Sequence, residues 1–242
     1  MEKKSVFIIN GGHDYATMFL KEGWELAVNM AEADLVLFTG GEDVTPEIYG
    51  ERQHPKTWPN PNRDRYETKL YKEALELGIP MAGICRGGQF LNVMNGGKRR
   101  QHVDNHAVSG THKAHVTGFI GDIEVTSTHH QMIIPNDDAE HIVLVTANLS
   151  DRKEKMGDGG IGIISRHTNK KEDDVESVYY PKTHTLCYQP HPEFVRGEGD
   201  CRTVFFFFIN NYLLTHATRD QVGEQITNGI IRKKNVRDYI PF

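Results

Sequence analysis

The first hundred residues alternate between short apolar runs and segments with helical spacing, and this alternation constrains the fold more than any other feature of the chain. Apolar runs of strand length lie at residues 5–10 (SVFIIN), 33–38 (ADLVLF) and 80–84 (PMAGI). Helical spacing covers residues 14–30 and 62–78, and a short helix is predicted within RGGQFLNVMNGG, residues 86–97. The order βαβαβα predicts an open, mostly parallel, doubly wound α/β sheet of the flavodoxin-like kind, with helices on its faces.

The second half of the chain has a different pattern. From about residue 99 to residue 189, short alternating runs are separated by turn residues. They predict strands that extend the main sheet or form a small antiparallel side sheet. Residues 199–216 (GDCRTVFFFFINNYLLTH) are periodic and apolar nearly all round, which predicts a buried helix. We therefore predict a single domain over residues 1–216 and a C-terminal helix or tail over residues 217–242.

Composition and charge exclude several classes of function. The 242 residues include 28 Lys and Arg against 33 Asp and Glu, a formal net charge of −5. Such a chain has no basic face to neutralise a phosphate backbone, so nucleic acid is not an expected partner. The N-terminal segment resembles neither a signal peptide nor a membrane span, so no membrane partner is expected. Three cysteines without framework spacing fit a reducing compartment, and we predict a cytoplasmic protein.

Cys85 lies where the third predicted strand turns into a helix. In an open parallel sheet, ligands bind at the carboxyl ends of the strands. A strand–turn–helix corner is the nucleophile-elbow arrangement, and Gly83 and Gly87 are the small residues that so sharp a turn needs. The following helix N-terminus favours a thiolate and offers N–H groups to a developing oxyanion. A single cysteine at a strand end is more often an ordinary core residue. A nucleophilic role for Cys85 is therefore indicated only if the sequence also supplies a base.

The segment YQPHPEF, residues 188–194, supplies that base. His191 follows a predicted strand, THTLCYQ, and Glu193 lies two residues further on. A nucleophilic thiol needs a general base, and the base needs an acceptor that orients it. The sequence therefore predicts that Cys85, His191 and Glu193 act together. Cys187 and Cys201, in an apolar strand and an apolar helix, are predicted to be core residues.

With these two motifs the chain resembles the class I glutamine amidotransferase-like superfamily, whose elbow reads G-x-C-x-G-x-Q and whose base motif reads H-P-E. It is more closely similar to the γ-glutamyl-γ-aminobutyrate hydrolase branch, the C26 peptidases. That similarity is carried by FTGGEDVTPEIYGE (38–51), NRDRYETKLYKEALELGIPMAGICRGGQFLNVMNGG (62–97) and TSTHHQMI (126–133). The resemblance covers roughly residues 34–200.

The resemblance implies a catalytic constellation residue by residue. Cys85 is the implied nucleophile, His191 the general base and Glu193 its partner. The backbone of Gly41 and Arg86 is the implied oxyanion hole. Gln89 and the THHQ segment are implied to lie near the glutamyl end of the substrate; from that segment we predict His129, His130 and Gln131 as substrate-binding residues.

No cofactor or metal is expected for this chemistry. The chain has thirteen histidines, several of them between residues 101 and 115. Their spacing does not recur and no cysteine joins them, so the sequence predicts no metal site.

Three functions remain open at this point. The first is a stand-alone hydrolase of γ-glutamyl amides, with a small-molecule γ-glutamyl amide or glutamine as substrate. The second is the glutaminase subunit of an amidotransferase that delivers ammonia to a separate synthetase partner; it would need an exposed apolar docking face around the site. The third is an inactive binding module, which the presence of Cys85, His191 and Glu193 disfavours.

Overall fold

A computed structural model describes residues 3–107, 110–118, 121–147, 152–156, 163–167, 174–194 and 199–227. These residues form fourteen strands, which are numbered in chain order: β1 (Ser5–Ile9), β2 (Glu25–Leu26), β3 (Leu35–Phe38), β4 (Met81–Ile84), β5 (Lys98–Arg100), β6 (His102–Val103), β7 (Thr111–Val116), β8 (Asp122–Thr126), β9 (Met132–Ile134), β10 (Ile142–Ala147), β11 (Arg152–Met156), β12 (Ile163–His167), β13 (Asp174–Tyr180) and β14 (Thr185–Tyr188). The helices are α1 (His13–Lys21), α2 (Pro61–Leu77), α3 (Arg86–Met94), α4 (Asp200–Phe208) and α5 (Arg219–Thr227).

Nine of the strands form one mixed sheet in the order β2-β1-β3-β4-β14-β13-β10-β7-β8. The first five of these are mutually parallel, and each of the remaining four is antiparallel to its neighbour. Strands β12, β11 and β6 form a separate antiparallel sheet, and β5 pairs with β9. The predicted open α/β fold with a small antiparallel side sheet is confirmed. Some strands of the second half extend the main sheet, and others form the separate antiparallel sheet.

Both faces of the parallel part are covered, as a doubly wound sheet requires. Alternate residues of β3 show this directly: Leu35 and Leu37 belong to one hydrophobic cluster, and Val36 and Phe38 belong to the other. All four residues of this strand are buried. A continuous apolar run, rather than an alternating one, is the pattern of a strand with both faces buried.

The helices divide between the two clusters. Met18 and Phe19 of α1 pack in the first cluster together with the apolar side chains of α4. Tyr71 of α2 and Phe90 of α3 pack in the second. The predicted buried helix at residues 199–216 is confirmed: α4 continues into a π-helical turn, Ile209–Leu213, and its aromatic residues are buried. No helix in the described part of the chain is long and apolar enough to span a membrane.

The helix predicted for residues 14–30 was too long. Helix α1 ends at Lys21, and Gly23 follows with φ +79°, a left-handed conformation that stops the helix. The chain then turns into β2, and Trp24 folds back onto Phe19, with ring centroids 5.3 Å apart. Val28, counted as part of the helical pattern, is 94% exposed. Residues 228–242 of the predicted C-terminal segment lie outside the described residues.

Candidate active site

Cys85 stands at a sharp corner between β4 and α3. Its φ is +51°, an uncommon value for a residue with a side chain, which confirms the strained elbow expected from the sequence. A Cβ at Gly83 would lie 2.4 Å from the backbone carbonyl carbon of Gly87, and a Cβ at Gly87 would lie 2.1 Å from the carbonyl oxygen of Phe38. The corner closes only because both positions are glycine.

His191 reaches Cys85 because their strands are neighbours. Strands β4 and β14 are parallel, and the backbone N–H of Cys85 donates to the carbonyl of Tyr188 at 2.8 Å. The backbone N–H of His191 donates to Oγ1 of Thr126 at 2.6 Å, which fixes the chain just past the end of β14. The two side chains therefore meet at the carboxyl edge of the parallel strands, the usual ligand position in such sheets.

The imidazole of His191 joins the thiol to a carboxylate. Its Nδ1 lies 2.5 Å from Oε1 of Glu193, and its ring is hydrogen-bonded to the Cys85 side chain. Phe194 stacks on it, with centroids 4.5 Å apart and planes 4° from parallel. The structure thus brings together the three side chains that the sequence analysis predicted as nucleophile, base and partner.

The charge state of His191 follows from these neighbours. Burial by itself lowers the pKa of the imidazole, but the charge and hydrogen bond of Cys85, together with those of Glu193, outweigh it and raise the pKa to about 10. The charged, imidazolium form of His191 is therefore favoured at neutral pH. Burial alone raises the pKa of the Cys187 thiol, and it raises that of Cys201 to about 12. Both remain protonated core residues, as predicted.

The turn at Gly40 and Gly41 packs against the imidazole of His191. A Cβ at Gly40 would be 2.9 Å from Cε1 of His191, and Gly41 has φ +142°. Arg63 holds this turn from α2, donating to the carbonyl of Thr39 at 2.9 Å. The position and conformation of the turn fit the oxyanion-hole role that the resemblance implies for the backbone of Gly41.

The side chain of Arg86 is taken up by ion pairs with α2. Its guanidinium is 1% exposed and forms ion pairs with Asp64 and Glu67 of α2. Burial, together with the nearby charge of Arg63, lowers the pKa of this arginine to about 9 despite the ion pair with Asp64. The side chain therefore ties α3 to α2, which leaves only the backbone N–H at the start of α3 for the oxyanion-hole role that the resemblance implies.

Tyr15 is a residue of the site that sequence reasoning missed. Its hydroxyl accepts a hydrogen bond from the backbone N–H of Gly40 at 3.0 Å and also interacts with Glu193. Burial raises the pKa of the phenol, and the charge of Glu193 raises it further, so the hydroxyl stays protonated. Tyr15 lies seventy residues before Cys85 in a segment that reads as an ordinary amphipathic helix. Nothing local in the sequence marks it.

The predicted substrate-binding residues do not form one group. Gln89 is buried and donates to the side-chain oxygen of Gln189 at 3.0 Å, and Gln131 is buried against Oγ1 of Thr57. His129 is 2% exposed and faces the protein interior. His130 is the partly exposed member, with its Nε2 3.3 Å from Oδ1 of Asp43. Of the three residues predicted from the THHQ segment, only His130 thus has a partly exposed side chain.

A second cluster of chemical interest contains histidines for which the sequence analysis predicted no metal site. Within the described residues, one ligand atom each from His106, His112 and Glu176 lie within 4.8 Å of one another, and all three residues are buried. His106 and His112 are six residues apart, but Glu176 lies 64 residues after His112, so no local motif marked the group.

Comparison with known proteins identifies related chains. The family model for peptidase C26 matches residues 11–152. The chain is 33% identical over 163 residues to "Putative glutamine amidotransferase Rv2859c" of Mycobacterium tuberculosis, a match covering 58% of this chain and 52% of that one. It is 29% identical over 180 residues to the glutamine amidotransferase-like protein YvdE of Lactococcus lactis, covering 66% of each. The chain thus spans between half and two thirds of these relatives.

More distant similarities agree with this result. The carbamoyl phosphate synthase small chain of Helicobacter pylori is 26% identical over 143 residues, covering 57% of this chain and 31% of that one. The crystal structure of a glutamine amidotransferase from Thermotoga maritima superposes with a TM-score of 0.52 at 15% identity, covering 98% of this chain and 99% of that one. The similarity to the Thermotoga maritima structure shows a shared fold.

Proposed function

Because the chain belongs to the peptidase C26 family, we propose that it is a cysteine-dependent amidohydrolase that cleaves γ-glutamyl amides through a glutamyl thioester. The observation that carries this proposal is the placement of His191, whose ring is hydrogen-bonded to Cys85 on one side and to Glu193 on the other. A thiol, a base and an orienting carboxylate in this order are the parts of a nucleophilic triad.

The first half of the reaction forms the thioester. The Cys85 thiolate attacks the side-chain amide carbonyl of the substrate, and a carbon–sulfur bond forms as the carbonyl electrons move to oxygen. The backbone N–H groups of Gly41 and Arg86 are the proposed donors to that oxyanion; each is worth about 3 kcal/mol of barrier. The His191 imidazolium then gives its proton to the leaving nitrogen, and the carbon–nitrogen bond breaks.

The second half regenerates the enzyme. Neutral His191 takes a proton from water, and the resulting nucleophile attacks the thioester carbonyl. The thiolate leaves, glutamate is released, and His191 is again an imidazolium. Glu193 accepts the hydrogen bond from Nδ1 throughout, so it orients the ring and stabilises its charge in both halves. The partly exposed His130 is the proposed contact to the substrate from the THHQ segment.

A second function is favoured by a specific surface feature. Trp58 is 65% exposed and lies against His130, and Phe194 is 38% exposed on the outer face of His191. One exposed aromatic ring on the imidazole of the site and a second on the proposed substrate contact His130 are the kind of apolar surface that a glutaminase subunit would need for docking. The similarity to a carbamoyl phosphate synthase small chain points the same way. The alternative is therefore a subunit that passes ammonia to a synthetase partner.

Turnover by the isolated protein separates the two functions. We would compare L-glutamine, γ-glutamyl-putrescine and γ-glutamyl-aminobutyrate, with Cys85→Ala as the inactive control. A stand-alone hydrolase should cleave a substituted amide at about 1 per second or faster, with glutamine a poor substrate. A subunit should be slow on every amide until a co-purifying partner is added. Equal background rates for the wild type and Cys85→Ala, with and without a partner, would leave only the inactive binding module.

A further inference from the structure

A buried group of three histidines and one glutamate lies in the antiparallel half of the main sheet, outside the catalytic triad. We propose that His106, His112, His129 and Glu176 bind one divalent transition-metal ion, with Zn²⁺ as the expected ion. The four residues come from different parts of the chain: His112 from β7, Glu176 from β13, His106 from the segment after β6, and His129 from the segment between β8 and β9.

Three distances, each from a ring nitrogen to a carboxylate oxygen of Glu176, are close to the edge length of a tetrahedral site. Nδ1 of His106 and Nε2 of His112 are each 3.2 Å from the same oxygen of Glu176, Oε1. Nε2 of His129 is 3.4 Å from the other oxygen, Oε2. Ligands bound to Zn²⁺ at roughly 2.0–2.1 Å are about 3.3 Å apart in a tetrahedron. Imidazole and carboxylate ligands are a set that suits Zn²⁺.

The hydrogen bonds behind two of the rings leave the right nitrogen free for a metal. Nδ1 of His129 lies 2.9 Å from the carbonyl oxygen of Gln131, which can only accept, so this nitrogen carries the proton. Nε2 of the neutral ring then presents a lone pair toward Glu176. In the same way, Nε2 of His106 lies 3.0 Å from a carboxylate oxygen of Asp174, which directs Nδ1 inward. A carboxylate or carbonyl behind each ring is the usual outer shell of a metal-bound histidine.

The inward-facing atoms are buried, and three of them lack a hydrogen-bond partner. Glu176 and His106 are fully buried, His129 is 2% exposed and His112 is 7% exposed. Nδ1 of His106, Nε2 of His129 and Oε2 of Glu176 make no hydrogen bond in the structure. Leaving such groups unsatisfied costs stability, and the Nε2 lone pair of His129 is repelled by the carboxylate oxygen that it faces. A cation among the four ligand atoms removes both costs.

The proposed site is structural rather than catalytic, because four protein ligands leave no open position for substrate. It would join β7 and β13 to two loops that already touch, since the backbone N–H of His129 donates to the carbonyl of His106 at 3.0 Å. It would also stiffen the end of β14, since the carbonyl of Glu176 accepts from the N–H of Gln189 at 2.7 Å, two residues before His191.

Metal binding to the untagged full chain tests the proposal. Protein freed of metal with a chelator would be titrated with Zn²⁺ in a calorimeter and with Co²⁺, whose visible absorption reports tetrahedral nitrogen and oxygen ligands. We expect one ion per chain and a melting temperature raised by roughly 5–10 °C at a hundredfold excess over Kd. Cys85→Ala should bind identically, which excludes the catalytic thiol as a ligand.

Two histidines of the same strand give a matched pair of variants. His112 is on the core side of β7, whereas the side chain of His115 is about half exposed. His112→Ala should lose the Co²⁺ spectrum, and His115→Ala should keep it. Asp174→Asn should weaken binding by about 10- to 100-fold through the orientation of His106.

Two results would overturn the proposal. One is failure of the wild type to bind either ion, in which case protonated imidazoles compensate Glu176. The other is equal binding by His112→Ala and the wild type, which would indicate an adventitious ion on other histidines. Because the wild-type titration needs no variant, the first outcome decides the question even if His112→Ala fails to fold.

Discussion

Gly40 lies directly against the imidazole of His191. A Cβ atom at Gly40 would be 2.9 Å from Cε1 of that ring, 2.9 Å from the hydroxyl of Tyr15 and 3.7 Å from Cβ of Cys85. Carbon atoms in favourable contact are about 3.5–4.0 Å apart, so the first of these distances is a clash. The turn after β3 and the base after β14 are therefore packed so closely that even a methyl group has no room between them.

Gly40→Ala should consequently damage catalysis more than stability. The added methyl pushes His191 away from Cys85, and a displacement of about 1 Å can cost on the order of 100-fold in rate. The measurement is kcat/KM on the best γ-glutamyl amide. Gly12→Ala is the matched control, because a Cβ there meets nothing within 4 Å and its φ is −83°. Equal activity in the two variants would show that the ring does not occupy this position during turnover.

A glutamine analogue that carries an electrophile should label Cys85 and neither of the other cysteines. Cys85 is hydrogen-bonded to the imidazole, whereas Cys187 and Cys201 are buried thiols whose pKa values burial raises. Mass spectrometry of the digested protein identifies the site. Cys85→Ala should abolish hydrolysis, and Cys201→Ala should keep it. Labelling at Cys187 in the folded protein would contradict the assignment.

Removal of the base should cost more than removal of its partner's charge. His191→Ala should lower kcat by about 100- to 10,000-fold, since general acid–base catalysis is lost in both half-reactions. Glu193→Gln keeps the shape and loses mainly a hydrogen bond to a charged ring, worth about 1.5–3 kcal/mol, or roughly 10- to 150-fold. Steady-state kinetics of both variants provide the comparison. Small and equal effects would show that the two residues do not act on Cys85.

The alkaline limb of the pH profile should report His191. Cys85 and Glu193 raise the pKa of this imidazole to about 10, so the proton given to the leaving nitrogen is present below that pH and lost above it. Hydrolysis should thus fall as the pH rises through about 10. In Glu193→Gln the limb should move to lower pH, because one of the groups that raises the pKa is gone. An unmoved limb would assign it to another group.

Tyr15→Phe should lower kcat by about 5- to 30-fold with little change in KM. The hydroxyl accepts from the N–H of Gly40 and interacts with Glu193, and a hydrogen bond of this kind contributes about 1–2 kcal/mol. Tyr66→Phe is the control, since Tyr66 is 51% exposed on α2. An equal loss in both variants, or a loss confined to KM, would argue against a positioning role for Tyr15.

Local sequence was sufficient for the elements that the triad depends on. Strand, turn and helix around Cys85 are neighbours along the chain, and glycine at 83 and 87 marks a close approach that other residues cannot make. His191 could be predicted because it follows a strand end directly. The length of α1 could not be predicted, because the apolar pattern continues through Val28, past Gly23, where the backbone has already left the helix. Hydrophobic periodicity indicates which face of a helix is buried, but it does not indicate the residue at which the helix ends.

Tertiary structure alone brought in the distant residues that no local motif marks. Tyr15 reaches Gly40 because β1 and β3 are adjacent in the sheet, and His106, His112 and Glu176 converge because β7 and β13 flank β10. The order of antiparallel strands depends on which faces bury together, and that free energy is a property of the whole core rather than of any short segment. The proposed nucleophile and its proposed base were therefore readable from the sequence, and the residues that hold them in place were not.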